Sequence, residues 1–208
     1  MRRMVIYVHG KGGSADEAGH YEKLFPGCEV IGFDYRATTP EEAEGEFLRF
    51  FAGRRAECDS LTLIANSIGA FFSMSSGIEK LVDRAYFISP IVDMERLICD
   101  MMRWADVTER ELEARAEIPT NFGETLSWDY LCYVRAHPIV WNVPTFILYG
   151  GHDDLTSAET VSAFAEQHCA SLTVMRGGSH WFHTDEQMRF LDKWIASAEG
   201  DRRDLTKS

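Results

Sequence analysis

No two cysteines in the sequence stand at C-x-x-C spacing. The five present (Cys28, Cys58, Cys99, Cys132 and Cys169) are odd in number and scattered. That excludes a paired disulfide framework or a thiolate zinc site and reads as reduced thiols of a cytoplasmic protein. Long apolar runs are missing as well. None approaches the roughly 18 uninterrupted apolar residues that a membrane span needs, and the run at 4–8 behind Arg2 and Arg3 is too short for a secretory signal. Positive charge is scarce: 21 Lys and Arg stand against 33 Asp and Glu, a net charge of −12. A chain so acidic is a poor match for nucleic acid or an anionic membrane surface, both of which ask for basic patches. What remains is a 208-residue chain with 45% hydrophobic residues, enough to bury one domain core without cross-links.

Six short, β-rich apolar runs recur along it, at 4–8, 29–33, 60–65, 85–89, 145–149 and 171–175. Most lack polar alternation, which marks strands covered on both faces, as in a parallel sheet flanked by helices. Between them lie capping-box pairs that start helices: Ser14 with Glu17, Thr39 with Glu42, Thr156 with Glu159 and Thr184 with Gln187. Behind the last pair, Met188, Leu191, Trp194, Ile195 and Ala198 repeat at helical spacing and predict a core-facing stripe. The alternation predicts an α/β fold, a mostly parallel sheet of about six strands with helices on both faces. One interval breaks the rhythm. Residues 91–143 are too many for a single crossover, carry the capping pair Thr108 and Glu111, and are rich in aromatics. They are expected to form a small helical cap over one end of the sheet, and the polar stretch 200–208 a frayed tail.

In an open parallel sheet, ligands bind beyond the carboxyl ends of the strands. Beyond the third run stands Ala65-Asn66-Ser67-Ile68-Gly69, a G-x-S-x-G elbow with alanine in the first glycine position. Small residues two before and two after the serine allow the tight strand-to-helix turn that lifts its hydroxyl above the sheet. Asp153 follows the fifth run and His180 the sixth, each in a glycine-containing loop. A serine nucleophile needs an imidazole to take its proton and a carboxylate to hold that imidazole. The chain order Ser67, Asp153, His180 is the order such triads take on this kind of sheet. Asp154 and Asp93 are rival acids and His183 a rival base. His180-x-x-His183 lacks a third ligand, so no metal is expected.

These residues resemble the α/β-hydrolase superfamily, over almost the whole chain. The resemblance rests on the Ser67 elbow, the Gly150-x-x-Asp153 turn, the Gly177-x-x-His180 loop and His9-Gly10 after the first strand. It implies Ser67 as nucleophile, His180 as general base and then acid, and Asp153 as the orienting carboxylate. The backbone N–H groups of Lys11 and Ile68 would then form the oxyanion hole. The superfamily's leading antiparallel hairpin has no counterpart here, and 91–143 falls where many members carry a lid. The activity so implied is cofactor-free hydrolysis of a small carboxylic ester, with thioester or amide as variants. The pocket would draw on Met101, Met102, Trp104, Trp128, Tyr130, Tyr133 and Trp181.

Two rivals remain at this stage. Gly10-x-Gly12-x-x-Ala15 with Asp34 spells a dinucleotide fingerprint after the first strand, which would make the chain a Rossmann-type oxidoreductase. A non-catalytic member that only binds a ligand in the same cavity is the other.

Overall fold

The computed structural model describes residues 1–205, with side chains through Gly200. Its centre is a six-stranded sheet of β1 (Arg3–Val8), β2 (Glu29–Phe33), β3 (Ser60–Asn66), β4 (Arg84–Ile88), β7 (Thr145–Gly150) and β8 (Ser171–Met175). The spatial order is β2-β1-β3-β4-β7-β8 and every pairing is parallel. All six apolar runs are therefore strands. The order reverses direction between β1 and β3, and the loops leaving those two strands flank the crevice at that switch point.

Alternate residues along each strand feed two separate cores. Met4, Ile6, Val8, Leu61, Leu63, Phe87 and Ile147 pack against the helices of one face. These helices are α1 (Pro40–Arg55), α2 (Ile68–Ser75), α3 (Met94–Trp104) and α6 (Ala158–Gln167). Val5, Tyr7, Ile64, Tyr86, Ile88 and Leu148 pack on the other face against a short 3-10 helix (Ala15–Tyr21) and α7 (Asp185–Leu205). The stripe predicted for α7 faces this second core. Leu191, Trp194, Ile195 and Ala198 are buried in it, while Met188 is half-buried.

Helix starts follow side-chain capping. Thr39 caps α1 in a box with Glu42 behind Pro40, and Thr108 and Glu111 do the same for α4 (Glu109–Arg115). Thr184 and Gln187 exchange the expected bonds ahead of α7. The expected pair Thr156 and Glu159 does not form. Ser157, one residue later, caps α6 by accepting from Thr160 N, while the Thr156 N–H, which a box with Glu159 would use, donates to Asp153 Oδ1 at 3.0 Å. The frayed tail expected at 200–208 lies, from 206 on, outside the described residues; Gly200 still belongs to α7.

The interval 91–143 is not purely helical. It holds α3, α4 and α5 (Trp128–Ala136), but also a two-stranded antiparallel hairpin, β5 (Glu117–Pro119) and β6 (Thr125–Ser127). Nor does it build a core of its own: Leu112, Ile118, Leu126 and Leu131 are buried in the same cluster as the α1/α2 face of the sheet. No helix among the described residues is long and apolar enough to cross a membrane.

The α1 face is built largely from aromatic rings. Phe47 is fully buried and its ring lies 4.9 Å from Phe33, 5.3 Å from Tyr35 and 6.3 Å from Phe72. Truncating a buried Phe costs about 3–5 kcal/mol. A urea titration of Phe47→Ala should show a loss of that size at an unchanged slope.

Candidate active site

Ser67 ends β3 and opens α2 with φ 51 and ψ −121. A non-glycine residue in that region stores about 1–3 kcal/mol of strain. It is held there by neighbours on both sides: Ser67 N donates to Ile88 O at 3.0 Å, and Ser67 O accepts from Ala70 N at 3.1 Å and from Ile91 N at 3.2 Å. Ala65, in the first elbow position, is fully buried between Val8 and Phe87 in the strand register, where its methyl fits. Gly69 has no such room. A Cβ there would stand 2.4 Å from the His9 carbonyl oxygen.

The Ser67 hydroxyl lies 2.8 Å from His180 Nε2, and His180 Nδ1 lies 2.7 Å from Asp153 Oδ2. A carboxylate only accepts, so Nδ1 donates to Asp153 and Nε2 faces the serine hydroxyl. The Asp153 side chain is fully buried and its second oxygen accepts from Leu155 N at 2.9 Å and Thr156 N at 3.0 Å. Those two bonds fix which face of the carboxylate meets the imidazole. The loops carrying Asp153 and His180 are sewn together by backbone bonds, Gly151 N to Met175 O and His152 N to Gly178 O, both 2.8 Å. Gly150 permits that approach, since a Cβ there would stand 2.5 Å from Ser179 O. From the α7 side, Gln187 Nε2 donates to Ser179 Oγ at 2.9 Å, one residue from the imidazole.

The rival residues are placed elsewhere. Asp154 is exposed. Asp93 caps α3 by accepting from Arg96 N. His183 turns its Nδ1 to Trp181 O. The glycine loop after β1 is closed by its own chain: Glu17 Oε1 accepts from Ser14 N, and a Cβ on Gly13 would stand 2.9 Å from that oxygen. The Glu17 carboxylate thus takes the Ser14 N–H and brings negative charge to this loop, which disfavours an anionic pyrophosphate there. Gly10 instead backs onto the elbow, its Cβ position 3.1 Å from Ser67 Cβ. This sets the neighbouring Lys11 beside the serine. Ile68 is the first residue of α2, and the first N–H of a helix has no intrahelical acceptor.

The serine opens into a cleft of about 1330 Å³. That is at the upper end of, or above, the roughly 300–1,000 Å³ of common small-ligand pockets. Met101, Trp104, Tyr130 and Tyr133 border the cleft, as does Ile68. The other three expected pocket residues do not. Met102 is buried in the core and Trp128 packs against it, while Trp181 stands exposed, its ring 4.1 Å from that of His183. Tyr35, Phe72, Leu97 and Ile98 border the cleft with no sequence signal to set them apart from core residues. Tyr35 also supports the loop after β1, its hydroxyl donating to His9 O at 2.9 Å. Burial pushes that hydroxyl up to about 12, so it stays a donor throughout the neutral range. The Lys11 ammonium pairs with Glu124 in the β5–β6 turn, joining that loop to the 91–143 segment across the cleft.

No protein-family model matches the sequence, and no curated protein matches it. Solved structures do. Est1E from Butyrivibrio proteoclasticus superposes with a TM-score of 0.74 at 14% identity, over 96% of this chain and 88% of that one. The same protein with ferulic acid bound gives 0.73. Mouse alpha/beta hydrolase domain-containing protein 10 gives 0.70 at 15% identity, over 95% of this chain and 90% of that one. The chain has the α/β-hydrolase fold. In this α/β-hydrolase fold the Ser67 elbow, the Asp153 turn and the His180 loop leave the carboxyl ends of β3, β7 and β8 on one rim, with β4 between β3 and β7.

Close backbone approach makes position 69 of the elbow intolerant of even one methyl. Gly69→Ala should lose about 1–3 kcal/mol of stability through overpacking. Gly53, inside α1 with open space around it, is the opposite case. Gly53→Ala should gain about 0.5–1 kcal/mol, and thermal melts of the two variants should move in opposite directions.

Proposed function

We propose that this protein is a serine hydrolase that cleaves a carboxylic ester through an acyl-enzyme on Ser67. The observation that carries this reading is the unbroken hydrogen-bond chain from the buried Asp153 carboxylate through His180 to the Ser67 hydroxyl. Ser67 Oγ attacks the ester carbonyl while His180 Nε2 takes its proton, giving a tetrahedral oxyanion and an imidazolium whose charge faces Asp153. The N–H groups of Ile68 and Lys11 hold the oxyanion. His180 then gives its proton to the departing alcohol, and the C–O bond breaks to leave the acyl group on Ser67. Water, its proton taken by His180, attacks the acyl carbon and releases the acid with Ser67 restored. No cofactor enters any step.

Segment 91–143 acts in this reading as the cap, roofing the cleft with α3, α5 and the β5–β6 hairpin. The mixed aliphatic and aromatic wall suits an ester with a bulky apolar or aryl group, in contrast to a short acetate. The five free cysteines support a reducing, cytoplasmic setting.

A fluorophosphonate probe should label one residue, mapped by mass spectrometry to Ser67. With aryl esters, Ser67→Ala and His180→Ala should lower kcat by about 10⁴–10⁶-fold. Asp153→Asn should cost about 10⁴-fold, whereas Asp154→Asn should stay within a few-fold. A folded protein that neither reacts with the probe nor turns over any ester, yet binds the corresponding acid, would instead be the non-catalytic ligand-binding member.

A further inference from the structure

The proposed oxyanion hole needs one backbone N–H, that of Lys11, held still beside Ser67, and the loop that carries it is poor in side chains to hold it. Residues 10–13 read Gly-Lys-Gly-Gly. Glycine has the widest choice of backbone conformation and nothing to pack. Gly12 uses that freedom, at φ 77, and Gly13 N donates back to Gly10 O at 3.1 Å to close the turn. A bond inside the turn does not fix how the turn sits on the sheet.

Two phenols do, one on each side of it. Upstream, Tyr35 Oη donates to His9 O at 2.9 Å. Downstream, the link runs through Glu17. Its Oε1 accepts from Ser14 N at 3.3 Å, and its Oε2 accepts from the Tyr7 hydroxyl. The same two oxygens stand 2.9 and 3.2 Å from the place a Cβ on Gly13 would take, so the carboxylate lies against the turn itself. Glu17 N donates to Ser14 O at 3.2 Å, which fixes the carboxylate's own backbone to the segment it holds. Tyr7 is a firm anchor. It is 1% exposed on β1, its ring 5.1 Å from that of Tyr21, and β1 is paired on both edges by β2 and β3. Burial above all pushes the Tyr7 phenol far above its ordinary range, so it keeps the proton it gives to Glu17. A bond to a charged acceptor is also stronger than a neutral one.

We propose that Glu17 is a positioning residue for catalysis: by bridging Tyr7 on β1 to Ser14 N, it holds the Gly10–Ser14 turn so that the Lys11 N–H meets the oxyanion formed on Ser67. The inference rests on the hydrolase reading. Glu17 acts through the turn and touches no substrate. Its loss therefore leaves substrate binding little changed and weakens an interaction made in the transition state, where the charge develops.

The test compares four variants with the intact protein, using para-nitrophenyl butyrate and its thiono analogue, in which C=S replaces C=O, well below Tm. In Glu17→Ala, kcat for the ester should fall by about 10–100-fold, short of the 10²–10³ that follows outright loss of an oxyanion donor, with KM little changed. Glu17→Gln should recover most of that loss, because its Oε1 still accepts from Ser14 N while its amide N–H donates to Tyr7 Oη. Tyr7→Phe keeps the ring and removes the anchor, so it should show a smaller drop of the same kind, an independent readout should Glu17→Ala fold poorly. Asp16→Ala, which removes an exposed carboxylate from the same turn of chain, should match the intact protein. Sulfur accepts hydrogen bonds weakly, so the ester-to-thionoester rate ratio reads the oxyanion donors directly and should shrink in Glu17→Ala and Tyr7→Phe. An unchanged kcat, a loss confined to KM or Tm, or a ratio equal to that of the intact protein would each overturn the positioning role in an active enzyme. An intact protein that turns over no ester and leaves Ser67 unlabelled by a fluorophosphonate would overturn the hydrolase reading, and this inference with it.

Discussion

Backbone meets backbone at the rim of this sheet, and the site depends on that contact. Gly10 sits tightly against Ser67, while Gly69 meets the His9 carbonyl and Gly150 the loop before His180 where a Cβ would overlap a neighbour. The crevice at the strand-order reversal between β1 and β3 brings the first two loops together. Parallel pairing of β7 with β8 brings the last two. Without those approaches the three polar side chains would still be present, but separated by more than a hydrogen bond's length.

The strain on Ser67 fits the same frame. Its positive φ is maintained by bonds from β4 on one side and from the start of α2 on the other, so packing of the whole sheet offsets a local cost at one residue. Tyr149, Gln187 and Tyr35 serve the neighbouring loops in the same way. Each roots a loop in a buried element through one hydrogen bond, to Thr156 O, Ser179 Oγ and His9 O respectively.

The segment between β4 and β7 contributes differently. Its apolar residues merge into the core of the α1 face, so it is anchored as part of the domain, while its hairpin turn reaches across to Lys11. That leaves a cleft whose wall mixes apolar side chains such as Phe72, Leu97 and Ile98 with polar ones such as Thr38, Glu124 and Asp129.

Much of this was legible in the linear sequence. Strand positions follow from unbroken apolar runs because a strand buried on both faces needs no polar alternation. The elbow, acid and histidine were visible because turns at strand ends force small residues into fixed offsets around a reactive one. Such local constraints leave a mark on neighbours in the chain. The resemblance singles out Asp153 over Asp154; in the structure that choice rests on which carboxylate the turn buries against His180. The Ser157 cap was not visible, since the Thr156 N–H is taken by Asp153, nor was the β5–β6 hairpin, too short to show a period. The cleft's membership was decided only by tertiary structure. Met102 and Trp128 look like Met101 and Tyr130 in sequence, but which side of a helix faces a void depends on packing partners far along the chain. The pairing of Lys11 with Glu124 arises in the same way, from distances that no local pattern encodes.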